Sequence, residues 1–366
     1  MSRKNCPYEC QQMRPATDGR MDVLIIIPYE GYFSDFSSYL VRVLNSKRDE
    51  PKVRVTKVIT PYYFKTSKIL GKRQIFGVMV FNFFYYFCHF VIAKKRDYDI
   101  IVLANHTVTI PFLLMVRVLP FVKARKRIIV TSFFLHGMAK KKVVQRALHF
   151  LFSNDKLVLQ VQSPDEVEYY SKLIDEAKIV HIPFCQGEVS NYGNCGEAQE
   201  YIFAGGYTNR DYNCLLEAAR RIDHKFIVIS SKLNQMSRVK QTPSNVKILT
   251  DTNPKDFHGY LKNSKIVVIP LNEEIGSSGQ MVALAAMFFK KPIIYTNINS
   301  VSQYFEDGVS GTSYEKGDAE DLASKITYLL SEPDFCEKLG INAFRRYYEN
   351  YHVANYCEFL ADLILR

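Results

Sequence analysis

The sequence predicts an α/β protein built from two tandem domains, each a parallel sheet covered by helices. Three observations carry this. At 366 residues the chain exceeds one small core and suits two domains of ordinary size. Short Val/Ile-rich runs alternate with helix-length stretches, as in sheets buried on both faces. Finally, the alternation breaks once, between Cys185 and Glu200, where Gly187, Asn191, Gly193, Asn194 and Gly196 carry no apolar periodicity, and then restarts. The expected organisation is a disordered leader over 1–20, a first domain over 21–186, a linker over 187–199 and a second domain over 200–345. A C-terminal helix over 346–366 is expected to pack back on the first domain.

The first strand is Val23 to Ile27, closed by Pro28, and a loop containing Glu30 and Asp35 leads into an amphipathic helix from Phe36 to Leu44. Strands follow at 53–60, 100–104, 127–133, 157–161 and 178–182. Asp97-Tyr98-Asp99, ahead of the third, reads as a turn. After the linker, strands are expected at 201–204, 225–230, 246–249, 266–269 and 292–296. Ile75 to Ala93 runs for nineteen residues without Lys, Arg, Asp or Glu and is rich in Phe and Tyr. It barely reaches the length of about 20 residues needed to span a bilayer. A crossing would also split the first sheet between two sides of a membrane, so an interfacial or core helix is the better reading.

Composition narrows the partners. With 47% hydrophobic and 23% charged residues and no repeats, this is a globular chain. Its eight cysteines are scattered, without zinc-type spacing or a cleavable signal peptide, and suit a reducing, cytoplasmic setting. The net charge of +11 is uneven: residues 1–184 hold 29 Lys/Arg against 15 Asp/Glu. Basic clusters at Lys94–Arg96, Lys123–Arg127 and Lys140–Lys142 adjoin aromatic and aliphatic stretches, which suits the anionic surface of a membrane. The acidic second half argues against a polynucleotide track.

The most informative segment runs from the strand Ile266–Ile269 through Glu273, Glu274, Ser277, Ser278, Gly279 and Gln280 into the apolar helix that begins at Met281. A glycine-rich loop opening directly into a helix is an anion cradle. Free backbone N–H groups and the positive helix end hold phosphate, the dipole alone giving about 0.3–1 kcal/mol.

These residues resemble the GT-B-fold glycosyltransferases that use nucleotide sugars, the group that includes bacterial polysaccharide transferases. The layout matches from Met21 to Arg366, with the specific motifs in the second half. Tyr201 to Tyr212 resembles the family's opening strand, glycine turn and helix, and Arg210 falls where the family places a lysine on the donor diphosphate. Lys290-Lys291-Pro292 resembles the family's helix exit, and Glu306 to Gly311 its Glu-Asx-Gly-small-Gly segment. The chain departs at the family's two glutamates seven residues apart, whose positions hold Ser277 and Ala285. A serine-glycine-glutamine turn, as in some members, stands there instead.

The resemblance implies a metal-independent hexosyltransferase, of retaining type, that moves a sugar from a UDP- or GDP-sugar to a lipid-linked or membrane-proximal glycan acceptor at the cytoplasmic face. No further cofactor and no nucleic-acid partner are expected. Ser277, Ser278, Gly279 and Arg210 are assigned to the diphosphate, with Lys232 as a second cation and Gln280 on phosphate or ribose. Glu273 and Glu274 would meet sugar hydroxyls. Glu30, Asp35 and His136, with His106 beside them, follow strands of the first half, where parallel sheets place ligands. Donor-phosphate assistance with His136 positioning suits retention; an inverting enzyme would use Asp35 or Glu30 as base. Two other readings share the architecture: a nucleotide-sugar 2-epimerase, and a scaffold subunit without chemistry.

Overall fold

The computed structural model describes residues 21–27, 36–47, 53–59, 72–88, 97–118, 123–133, 142–195, 201–231, 241–272 and 278–366. In the first half the order is β1 (Met21–Ile27), α1 (Phe36–Ser46), β2 (Val53–Ile59), α2 (Lys72–Tyr86), β3 (Asp97–Ala104), α3 (His106–Val118), β4 (Lys123–Thr131), α4 (Lys142–Phe152), β5 (Leu157–Val161), α5 (Pro164–Ser171) and β6 (Ile179–His181). The second half holds β7 (Ile202–Gly206), α6 (Tyr212–Ala219), β8 (Phe226–Ser230), β9 (Val246–Thr250), α7 (Pro254–Asn263), β10 (Ile266–Ile269), α8 (Gln280–Phe288), β11 (Ile293–Thr296), α9 (Asn299–Ser302), β12 (Thr312–Tyr314), α10 (Ala319–Ser331), α11 (Pro333–Arg346) and α12 (Val353–Leu365).

Two six-stranded sheets result, every named pairing parallel, ordered β2-β1-β3-β4-β5-β6 and β12-β11-β10-β7-β8-β9. Each order reverses once, between β1 and β3 and between β7 and β10. At such a switch point the flanking loops leave in opposite directions and open a crevice beyond the strand ends.

The strands are buried because both faces are covered. On one face of the first sheet, Leu24, Ile26, Ile101 and Leu103 pack with α2, α3 and α4 through Tyr86, Phe112 and Leu148. On the other, Val23, Ile25 and Ile129 pack with Leu40 of α1 and with Tyr356, Leu360 and Ile364 of α12. The chain therefore returns at its end to the first sheet. Lys47 Nζ meets Glu358 at 2.6 Å and Asp362 at 2.7 Å, and Arg127 Nη1 donates to Leu363 O at 2.7 Å, fixing the returning helix.

One local expectation is corrected, and one strand is new. Asp97-Tyr98-Asp99 is not a turn but the opening of β3, held by cross-strand contacts: Asp22 N donates to Asp99 Oδ2 at 2.9 Å, and Asp22 pairs with Arg54. This end of the strand is opposite the crevice. β12 was not anticipated, since three residues are too short for periodicity to register. Within 75–93 the structure describes a helix to Tyr86 followed by Phe87 and Cys88. Among the described residues no helix is long and apolar enough to cross a membrane.

Candidate active site

β7 ends at Gly205-Gly206, and the loop beyond it bends through Asn209, whose φ of 57° is left-handed, a conformation asparagine tolerates well. Asp211 then caps α6, its side chain accepting from Cys214 N at 3.0 Å. The neighbouring strand β10 runs into Pro270, Leu271 and Asn272. The two loops are stitched together: Arg210 forms a backbone bridge with Leu271, Asp211 N donates to Pro270 O at 3.0 Å, and Asn272 Nδ2 donates to Arg210 O at 2.9 Å. Leu271 N in turn donates to Thr296 Oγ1 at 2.8 Å, and the hydroxyl of Thr296 is held by Tyr314.

Arg210 is thereby drawn into the crevice at the β7/β10 switch point. It is 9% exposed, and its guanidinium donates from Nε to Gly205 O at 3.0 Å and from Nη1 to Thr208 O at 2.8 Å. No carboxylate among the described residues pairs with it. Burial pulls its pKa below the ordinary arginine value, the expected response of a cation deprived of water. An uncompensated buried cation is costly and becomes favourable when an anion arrives.

Across the switch point lies the start of α8. Gly279 takes φ 83° as its N-cap, a left-handed conformation that glycine adopts freely, and among the described residues no side chain caps the helix. A Cβ there would press on Leu271 Cδ1 at 3.0 Å and Ile269 Cγ2 at 3.1 Å, so the helix start lies directly against the strand that carries the Arg210 bridge. Gln280, the first residue of α8, is 5% exposed, and its buried Nε2 has no hydrogen-bond partner among the described residues. A buried amide donor without an acceptor carries a desolvation cost of about 1–3 kcal/mol. A buried cation after β7, and an unpartnered donor and a helix N-terminus after the neighbouring β10, thus follow the two strands that flank the switch point, an arrangement suited to a polyanionic ligand.

Of the residues singled out in sequence, Arg210, Ser278, Gly279 and Gln280 sit at this crevice. Glu30, Asp35, His136, Lys232, Glu273, Glu274 and Ser277 lie outside the described residues. Ala285, at the position where the family carries a glutamate, is fully buried in the core under α8. No His/Cys/Asp/Glu group suited to a metal ion occurs among the described residues.

At the first sheet's switch point, Asn105 (φ 75°) caps α3, its Oδ1 accepting from Thr107 N at 3.0 Å. His106 opens that helix. Burial lowers its pKa to about 4, so its ring is neutral at pH 7, and its buried Nδ1 has no partner among the described residues.

The two strand-end edges meet through contacts that the sequence did not announce. Gln303, after α9, donates from Nε2 to Gln162 O at 3.0 Å, and its Oε1 lies 3.0 Å from His181 Nε2. Asn299 Nδ2 donates to Asp165 Oδ1 at 2.6 Å, and Tyr304 OH to Phe184 O at 3.1 Å. Gln162 and Asp165 follow β5, while Asn299 and Gln303 follow β11, so the carboxyl ends of the two sheets face each other. No sequence motif marks Gln303; a lone glutamine in a polar loop carries no signal.

Comparison with known proteins agrees with this geometry. Residues 205–346 match the family described as Glycosyl transferases group 1, a span that contains Arg210 and the start of α8. An uncharacterised glycosyltransferase of Methanocaldococcus jannaschii is 25% identical over 154 residues, a match covering 41% of this chain and 43% of that protein. Among solved structures, sucrose-phosphate synthase from Thermosynechococcus elongatus is similar at a TM-score of 0.68 with 13% identity, over 94% of this chain and 99% of that one. HepE of Anabaena, solved with UDP and glucose, is similar at 0.61 with 13% identity, over 94% and 99%. At such identities the likeness is one of fold: two facing domains of the GT-B type. Residues 205–346 thus match the group 1 glycosyl transferases, within a chain that has the GT-B fold.

Proposed function

We propose that the protein is a glycosyltransferase that moves a sugar from a nucleoside-diphosphate donor to a lipid-linked or membrane-proximal glycan acceptor. The observation that carries this reading is the buried guanidinium of Arg210 after β7, without a carboxylate partner among the described residues, together with the buried, unpartnered Nε2 of Gln280 at the start of α8 after the neighbouring strand β10. Glycosyl transfer breaks the bond between the sugar's anomeric carbon and the diphosphate oxygen. Charge then builds on the diphosphate as the bond opens, and preorganised donors aimed at that charge lower the barrier. Arg210, the N–H groups at Ser278–Gln280 and, from its loop, Lys232 serve this role without calling on a metal ion. Glu273 and Glu274, in the segment between Asn272 and Ser278, engage sugar hydroxyls.

The acceptor is taken into the opposing half, beside the segments that contain Glu30, Asp35 and His136. The reaction is of retaining type: the acceptor hydroxyl approaches on the face the diphosphate is leaving, and a departing phosphate oxygen takes its proton. UDP- and GDP-linked hexoses are the donor classes put forward. Support for a membrane-proximal acceptor comes from the basic, aromatic-rich first half, and the setting is the cytoplasmic face.

Titration calorimetry with UDP and GDP, on wild type, Arg210→Ala and Gln280→Leu, tests the site. The arginine variant should bind at least about tenfold more weakly, the loss expected of a charge-assisted hydrogen bond. Gln280→Leu should lose about threefold or more. Unchanged binding in both removes the site assignment. A panel of labelled UDP- and GDP-sugars with membrane lipid extracts then tests the reaction: transfer to lipid supports it, while release of a free altered sugar nucleotide points to epimerisation.

A further inference from the structure

The outward surface of α2, α3 and α4 is apolar where a soluble domain would be polar. Along α2, Val78, Asn82 and Tyr86 recur every fourth residue and are buried. Asn82 Nδ2 donates to Thr107 O at 3.0 Å, and Tyr86 meets Phe112 edge to face at 5.7 Å, so this face is anchored on α3 and the sheet. The opposite stripe has the same spacing, and it is Phe76, Val80 and Phe84, exposed by 69%, 41% and 61%. From Ile75 on, the helix is apolar apart from Asn82, a property of helices enclosed by protein or lipid, yet one side is exposed among the described residues. The patch extends to Val118 of α3 (60% exposed) and to Val143 and Phe150 of α4 (77% and 55%). These helices pack side by side, α2 on α3 and α3 on α4, and Arg117 of α3 reaches Phe150 of α4. Scattered exposed apolar side chains are ordinary; a run across three neighbouring helices is not.

The sequence that carries these helices is of one charge sign. Residues 72–152 contain 14 Lys/Arg and 2 Asp/Glu, a net +12 that exceeds the +11 of the whole chain. Both acids, Asp97 and Asp99, belong to the start of β3, and α2, α3 and α4 have none. Arg117 lies with its guanidinium 5.2 Å from the centroid of the Phe150 ring, placing a cation at the rim of the apolar stripe, and Lys142 and Arg146 are exposed on α4.

The geometry points to a monotopic docking surface: the outer faces of α2, α3 and α4 lie on an anionic lipid bilayer, with Phe76, Phe84, Val118, Val143 and Phe150 entering the headgroup boundary and the basic rim on lipid phosphates. Amphipathic surface binding draws on this combination of buried apolar area and basic charge. α2, at 15 residues, extends about 22 Å, short of the roughly 30 Å hydrocarbon core, so it lies on the bilayer rather than across it. A second copy of the chain is disfavoured as the occupant, because a two-fold contact would press two strongly basic faces together. Nucleic acid would use the charge but not the aliphatic Val80, Val118 and Val143, which offer no stacking face. The inference deepens the membrane-proximal acceptor reading and rests on it for its purpose, though the surface stands on its own geometry.

Vesicle flotation of the full chain tests it, with phosphatidylcholine alone and with phosphatidylcholine containing phosphatidylglycerol, at low and high salt. Wild type should float with the anionic vesicles and do so less at high salt. Phe76→Ser/Phe84→Ser and, separately, Arg117→Gln/Lys142→Gln/Arg146→Gln should each weaken binding by about tenfold or more, while UDP or GDP affinity in calorimetry stays at the wild-type value and reports an intact fold. Equal binding to both vesicle types, or variants that float like wild type, overturns the proposal. So does a concentration-dependent dimer in sedimentation that the phenylalanine double variant abolishes. Nucleotide binding without flotation sinks the docking surface and leaves the transferase reading; flotation without nucleotide binding does the reverse.

Discussion

Gly206 and Arg210 occupy complementary space: a Cβ built on Gly206, whose φ is 146°, would overlap the guanidinium of Arg210. The last residue of β7 is thus the floor on which the site's buried cation rests. Gly206→Ala should displace the guanidinium from its hydrogen bonds to Gly205 O and Thr208 O. Nucleotide affinity should drop at least tenfold, and global stability by about 1–3 kcal/mol, as for backbone strain with overpacking. Calorimetry and urea unfolding on the one variant separate the two effects; wild-type affinity would show that the arginine needs no such floor.

Gln303 connects the two sheets' facing edges through Gln162 O and His181. Removing its amide should loosen the contact between the two edges without touching Arg210 or the start of α8. Gln303→Ala is therefore expected to raise hydrogen exchange in the 162–166 and 299–303 segments and to raise KM for donor several-fold, with smaller change in kcat. Unaltered exchange at both segments would mean that Asn299–Asp165 and Tyr304–Phe184 suffice to hold the edges together.

Lys290 and Gly340 make a second close fit, under α8. Lys290 sits at φ 55° in the position after the helix cap where glycine is favoured, with Lys291 N donating to Ala286 O at 2.9 Å and Lys290 N to Met287 O at 3.0 Å. Its carbonyl lies where a Cβ on Gly340 would go. Gly340→Ala should cost about 1–3 kcal/mol despite alanine's better helix propensity, since backbone cannot yield as a side chain does. Lys290→Gly should stabilise by up to about 1 kcal/mol, reduced by the loss of the ammonium 4.6 Å from the Phe344 ring. Chemical denaturation of both variants checks the opposite signs.

His106 makes stability depend on pH. Its folded pKa of about 4 lies below the ordinary 6.5, so between these values the unfolded chain takes up a proton that the folded ring refuses. The stabilisation is complete above pH 6.5 and declines as pH falls towards 4, by as much as about 3 kcal/mol. His258 and His352 are shifted in the same direction by burial, so the comparison of wild type with His106→Gln isolates this residue. The variant should show a shallower loss of urea midpoint from pH 7 to 4.5; parallel curves would place the His106 ring in contact with water.

How much of this was legible depended on range. The glycine turn before α8 showed in sequence because its cause is local: a strand, a glycine able to take φ 83° and an apolar helix follow one another within fifteen residues. Asp97-Tyr98-Asp99 misled because acidic residues beside tyrosine look like a turn, and only the contact of Asp22 N with Asp99, 77 residues apart, draws them into β3. Gln303 was invisible for the same reason, its partners being 122 and 141 residues away.

By itself the sequence determined two tandem parallel α/β halves, an unevenly basic first half and the position of the glycine turn. Side-chain period, β-branched runs and left-handed backbone positions are properties of a chain's near neighbours. Only the tertiary structure decided that Arg210 is buried without a carboxylate among the described residues, that Gln280 Nε2 is buried without a partner among them, and that Phe76, Val80 and Phe84 of α2 are exposed while α12 covers the opposite face of the first sheet. Burial and pairing are set by residues far apart in sequence, and their energies exist only once those residues have been brought together.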